Sequence, residues 1–191
     1  MLSVKNLSCG YGKTDVVKNV SFSVERGEKL CIIGPNGCGK TTLLRAVSGL
    51  MDYRGDVFLN DKSIASMKRK EISKTMALMT QLSSVYFSYS IYEAVALGRY
   101  LASQKKIFSE ETSHDREVIN SCLENVGLLE IKDKPITELS GGQLQRVFLA
   151  RVFAQEPEII LLDEPTNHLD LKHQLELVEY LKTWAAEKNR S

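Results

Sequence analysis

The chain has 191 residues, a net charge of +1, and 43% hydrophobic against 26% charged residues, which is the makeup of a globular protein able to bury a core. That charge balance argues against non-specific binding to nucleic acid or to an anionic surface. No apolar run approaches the roughly 20 residues of a membrane span, and the opening MLSVKNLSCG is too polar for a signal peptide. Any role at a membrane is therefore expected to run through a partner. Cys9, Cys31, Cys38 and Cys122 form no CxxC pair and no zinc-ligand spacing, so they read as reduced cytosolic thiols.

In chain order, LSVKNLS, VKNVSFSVE and EKLCIIG alternate in short apolar and polar steps punctuated by Gly10, Gly12 and Gly27. This predicts strands joined by tight turns. LCIIG runs straight into GPNGCGKTT, and TTLLRAVSGL continues as a helix closed near Gly49. GDVFLN and MALMTQ are further strand candidates. After Gln81 the texture turns helical. Ser90 and Glu93 form a capping-box pattern ahead of AVALGRYL, and Thr112 and Asp115 another ahead of a helix that Gly127 is placed to end. The apolar run Ile159 to Leu162 lacks alternation, as in a strand covered on both faces. Asp170 is placed to cap a last helix with Leu171, Leu175, Val178, Leu181 and Ala185 on one side. The expected class is α/β with a mostly parallel sheet. Residues 1–83 and 156–191 form the core with its N-terminal β part, and 84–155 a helical subdomain.

Gly34, Pro35, Asn36, Gly37, Cys38, Gly39, Lys40 and Thr41 fit GxxxxGK[ST] between a predicted strand and a predicted helix, with Thr42 following. Such a loop wraps a phosphate with backbone N–H groups at a helix N-terminus. Lys40 can reach the outer phosphates of ATP, and the Thr41 hydroxyl can bind Mg²⁺. Cys38 lies within the loop, so bound ATP is expected to block its alkylation. Asp163 and Glu164 stand at a strand's carboxyl end, where α/β sheets place ligand chemistry. Asp163 can hold Mg²⁺, and Glu164 can orient or deprotonate a water.

LSGGQ, residues 139–143, also opens a helix on glycines but lacks the lysine and the preceding strand. An exposed helix N-terminus offers an anion only about 0.3–1 kcal/mol, so this loop reads as half of a site completed by another molecule.

The order GPNGCGKTT, LSGGQ, LLDEPT resembles the ATP-binding subunits of ABC transporters over the whole chain. In that family two subunits pair head to tail. The resemblance therefore implies that Ser140, Gly141, Gly142 and Gln143 serve the nucleotide of a second ATP-binding subunit. It also implies that Tyr11 stacks on adenine, that Gln81 contacts Mg²⁺ and water and couples to the membrane partner, and that Asp170 lies on the loop crossing the dimer interface. The helical part would dock on a transmembrane permease, with Tyr86, Phe87 and Tyr89 near the docking groove. A substrate-binding protein would be an indirect partner, and the place of work the cytoplasmic face of the membrane. EAVALGRY and TNHLDLKHQ resemble importers of iron chelates and cobalamin.

The family continues into a further strand ending in a histidine. His114, His168 and His173 are the chain's three histidines, and none follows an apolar strand. The resemblance thus implies a chain shortened at Ser191, with a gap between the P-loop strand and the LLDE strand and impaired hydrolysis. A soluble ABC-type ATPase and a nucleotide-binding module without turnover are the alternatives.

Overall fold

The structure is a computed structural model, and it describes residues 1–80, 88–102, 111–167, 169–186, 190 and 191. The described residues form two compact units, one of Met1–Leu78, Glu158–Asp163 and Ala185–Ser191, the other of Met79–Pro157 and Glu164–Trp184.

The first unit is built on an antiparallel sheet of β1 (Leu2–Tyr11), β2 (Thr14–Val24), β3 (Arg54–Leu59) and β4 (Lys62–Ser63), in the order β2-β1-β3-β4. β1 and β2 are a hairpin whose register runs from Leu2 opposite Val24 to Tyr11 opposite Thr14. Alternation along the strands sends Leu2, Val4, Val57 and Leu59 to one face, and a register shift between Val4 and Leu7 returns Leu7 to it. There they join Leu43, Ala46 and Val47 of α1 (Lys40–Val47) in one core cluster. A short helix α2 (Arg69–Thr75) leads into β5 (Met76–Met79). β5 pairs with β6 (Ile159–Leu162) in a separate two-stranded sheet.

LCIIG differs from expectation. Residues 28–35 form no strand, and Leu30, Ile32 and Ile33 are exposed, Ile33 by 90%. The cause is pairing. A run of apolar residues becomes a strand only when neighbours take up its N–H and C=O groups, and no described strand lies beside this one. Beside β6, Ser191 accepts from Ile160 N–H at 2.9 Å and donates to Glu158 O at 3.0 Å.

The second unit is helical, with α3 (Ile91–Ala102), α4 (Ser113–Asn125), α5 (Gly141–Ala154) and, up to Trp184, α6 (Leu171–Ala186). Both expected capping boxes form. Ser90 accepts from Glu93 N–H while Glu93 accepts from Ser90 N–H, and Thr112 and Asp115 repeat the exchange. α3 and α5 touch backbone to backbone. A Cβ on Gly98 would lie 2.2 Å from Arg151 O, so only glycine permits this approach. Arg99, next in sequence, fastens the same crossing. Its guanidinium donates to Ala154 O (2.8 Å), Glu156 Oε2 (2.8 Å) and Asp115 Oδ1 (3.0 Å).

α6 also corrects the sequence reading. Leu171, Leu175 and Val178 are exposed, while Leu177, Trp184 and Ala185 are buried. The aromatic residues decide the helix's rotation. Phe153 of α5 meets Tyr180 edge to face at 4.6 Å and Trp184 at 6.0 Å, and rings of this size outweigh an aliphatic stripe.

Candidate functional site: a phosphate loop with an acidic partner

The first glycine loop precedes α1, which begins at Lys40 without a side-chain cap. Gly39, at its N-cap, has φ +104°, and a Cβ there would lie 2.9 Å from Val16 Cγ1 and 3.1 Å from Val17 Cγ2. The loop therefore lies against β2 through its glycine, and its helix-opening N–H groups have no side-chain competitor for an incoming anion. Lys40 Nζ donates to Gly34 O at 2.9 Å and Pro35 O at 3.1 Å. The lysine thus folds back across the loop it belongs to. Cys38 is exposed, and its Sγ covers Gly34 closely enough that a Cβ there would meet it at 2.7 Å. Tyr11, at the end of β1 on the same hairpin as Val16, is 56% exposed, which leaves its ring available for stacking.

Across 122 residues of sequence, Thr41 Oγ1 donates to Asp163 Oδ2 at 2.6 Å. Asp163 is 3% exposed. A buried carboxylate beside a hydroxyl on a phosphate loop is a pair of hard oxygen ligands, the chemistry that suits Mg²⁺. Among the described residues, no group of three or more His, Cys, Asp and Glu side chains could hold a metal, so the pair depends on other oxygens to complete a coordination shell.

The second unit carries its own two features. Ser140 is the N-cap of α5; it accepts from Gln143 N–H at 3.3 Å, and Gln143 Oε1 accepts from Ser140 N–H at 3.0 Å. LSGGQ is thus a capped helix start preceded by a 3₁₀ turn, Ile136–Glu138, rather than by a strand. Glu164 opens a tight turn in the left-handed region, φ +50°. Asn167 Nδ2 donates to its Oε2 at 2.6 Å. Gln145 of α5 donates to Pro165 O at 3.1 Å, which ties that turn to the helix that LSGGQ opens. Asp170 accepts from His173 N–H at 2.9 Å and lies 2.7 Å from His173 Nδ1. Those bonds, first the backbone one, hold its carboxyl below the usual range. Gln81, Tyr86, Phe87 and His168 lie outside the described residues.

Asn167, Gln145 and Arg99 were not singled out from sequence. For Asn167 a signal existed: an Asn three residues after a Glu, with proline between, is a turn pattern. Gln145 and Arg99 act across tertiary contacts that no spacing announces.

The ABC transporter family matches residues 17–167. The iron(3+)-hydroxamate import ATP-binding protein FhuC of Bacillus subtilis is 40% identical over 191 residues, covering all of this chain and 70% of its own length. The uncharacterized ABC transporter ATP-binding protein YvrA of the same organism is 42% identical over 182 residues, 95% of this chain and 41% of its own length. The chain therefore spans from about two fifths to about 70% of these relatives. Among solved structures, the dimeric structure of MJ0796, a bacterial ABC transporter cassette, superposes with a TM-score of 0.88 at 28% identity, over all of this chain and 85% of that one. The chain belongs to the ABC transporter family, and its fold is the mixed α/β fold of the ATP-binding cassette.

Proposed function

We propose that this chain is the nucleotide-binding part of an ATPase subunit that powers import of a small substrate, an iron chelate or cobalamin, through a membrane permease. The observation that carries the reading is the Thr41–Asp163 hydrogen bond at the foot of the phosphate loop. It joins the loop to the acidic strand end that hydrolysis requires. Relatives such as FhuC, an import ATP-binding protein for iron(3+)-hydroxamate, support the substrate class.

Each residue has a role. Tyr11 stacks on adenine. The Gly34–Thr42 loop wraps the phosphates with its N–H groups, and Lys40 leaves its carbonyl contacts to meet the outer ones. Thr41 and Asp163, together with Gln81, would hold Mg²⁺, which would offset phosphate charge. Glu164 orients and deprotonates the attacking water. Ser140, Gly141, Gly142 and Gln143 meet the far phosphate of the nucleotide held by a second subunit, paired head to tail. Ser140 suits this because its cap bond uses the hydroxyl as an acceptor, which leaves the proton to donate. The helical unit docks on the permease at the cytoplasmic face, with a substrate-binding protein as the indirect partner. Turnover by the chain alone is expected to be slow, because LCIIG, which carries the phosphate loop, has no strand partner among the described residues.

Phosphate release from MgATP by the wild-type chain, Lys40→Ala and Glu164→Gln tests the reading. Release abolished by both substitutions supports it. Release unaffected by Glu164→Gln sinks the assignment of the catalytic base.

A further inference from the structure

The geometry points to Asn167 as the positioning residue for Glu164. The inference rests on the catalytic reading of Glu164 given above. It goes beyond that reading by naming what holds the carboxylate in place.

Glu164 has φ +50°. A non-glycine residue there is strained, and persists only where its surroundings over-determine it. Those surroundings are visible. Asn167 N–H donates to Glu164 O at 3.2 Å, and Asn167 Nδ2 donates to Glu164 Oε2 at 2.6 Å. One residue thus pins both the backbone and the carboxylate of Glu164. Two further side chains fasten the turn. Gln145 of α5 donates to Pro165 O, and Gln174 of α6 donates to Thr166 O at 3.4 Å and Leu169 O at 3.0 Å.

An amide suits this task. It donates to a carboxylate, yet it neither carries charge nor takes up a proton near neutral pH. It can therefore fix the carboxylate without competing for the proton that Glu164 is to receive. A bond to a charged acceptor is also among the stronger side-chain contacts. Asn167 acts on the reacting water only through Glu164, so its removal should misplace the base and leave nucleotide binding alone.

The test uses the full chain under single-turnover conditions, with MgATP, and compares wild type, Asn167→Ala, Asn167→Ser, Asn167→Asp, and the double variant with Glu164→Gln. Asn167→Ala should slow hydrolysis on the order of tenfold with the nucleotide Kd unchanged. The serine hydroxyl should restore part of the rate. The aspartate, which places like charge beside Glu164, should slow it further. On Glu164→Gln, adding Asn167→Ala should change nothing, because the group it positions is gone. A second measurement is independent of turnover. The Asn167 side-chain amide resonance in ¹⁵N-labelled protein should move when Glu164 becomes alanine. A rate unchanged by Asn167→Ala, or a parallel loss of nucleotide affinity, overturns the positioning role, and so does an amide resonance indifferent to Glu164. If Glu164→Gln hydrolyses as fast as wild type, the catalytic reading fails. The amide resonance then decides the contact by itself.

Discussion

Thr41 and Asp163 stand 122 residues apart in sequence, and their side chains meet at 2.6 Å. This bond links a helix start to a strand end, and it satisfies a carboxylate that is almost wholly buried. Replacing Thr41 by Ala removes the donor. A buried acceptor left unsatisfied costs about 1–3 kcal/mol, so urea unfolding of Thr41→Ala should show a lower midpoint. Nucleotide binding by the variant should also lose most of its dependence on Mg²⁺, measured by titration with and without chelator. An unchanged Mg²⁺ dependence would show that the hydroxyl is not a ligand.

Gly39→Ala combines two faults, a φ of +104° and a Cβ 2.9 Å from Val16 Cγ1. The positive φ alone costs about 1–2 kcal/mol for an L residue. The variant should therefore lose nucleotide affinity and stability together. Alanine at Gly12, which also has positive φ but no atom within 4 Å of an added Cβ, should lose stability only.

Cys38 is exposed on the phosphate loop. Bound ATP should protect it from maleimide, while Cys31, also exposed, labels at the same rate throughout and serves as the internal control. Equal labelling of Cys38 with and without ATP would place the phosphates elsewhere.

Glu156, in the Arg99 cluster, contributes to the pH dependence of the helical unit. Burial raises the Glu156 carboxyl, but the hydrogen bond and charge of Arg99, with those of His114, outweigh it and hold the group below its ordinary 4.5. A carboxyl lowered on folding stabilises the folded state above its unfolded value, and that contribution is lost as pH falls through the folded one. Acid unfolding of wild type should therefore steepen below about pH 4.5. Glu156→Gln should be less stable at neutral pH and flatter in that window. Identical acid profiles would remove Glu156 from the account.

What could be read from sequence was local. GPNGCGKTT, the Ser90 and Thr112 capping boxes and the Asp170 cap each sit within a few residues, so spacing alone specifies them. LCIIG has the composition of a strand but forms none, because a strand is a property of a pair, and composition says nothing of whether a neighbour is there. In α6 aliphatic periodicity marks one face, while Tyr180 and Trp184, against Phe153, fix another. Asn167 was hidden within TNHLD, where motif reading looked to Asp170.

The claim beneath all of this is that the Gly34–Thr42 loop holds the nucleotide, and calorimetric titration of the chain with MgATP tests it most directly. The expected result is saturable binding at one site per chain, abolished by Lys40→Ala and retained by Glu164→Gln. Equal affinity in wild type and Lys40→Ala would contradict it.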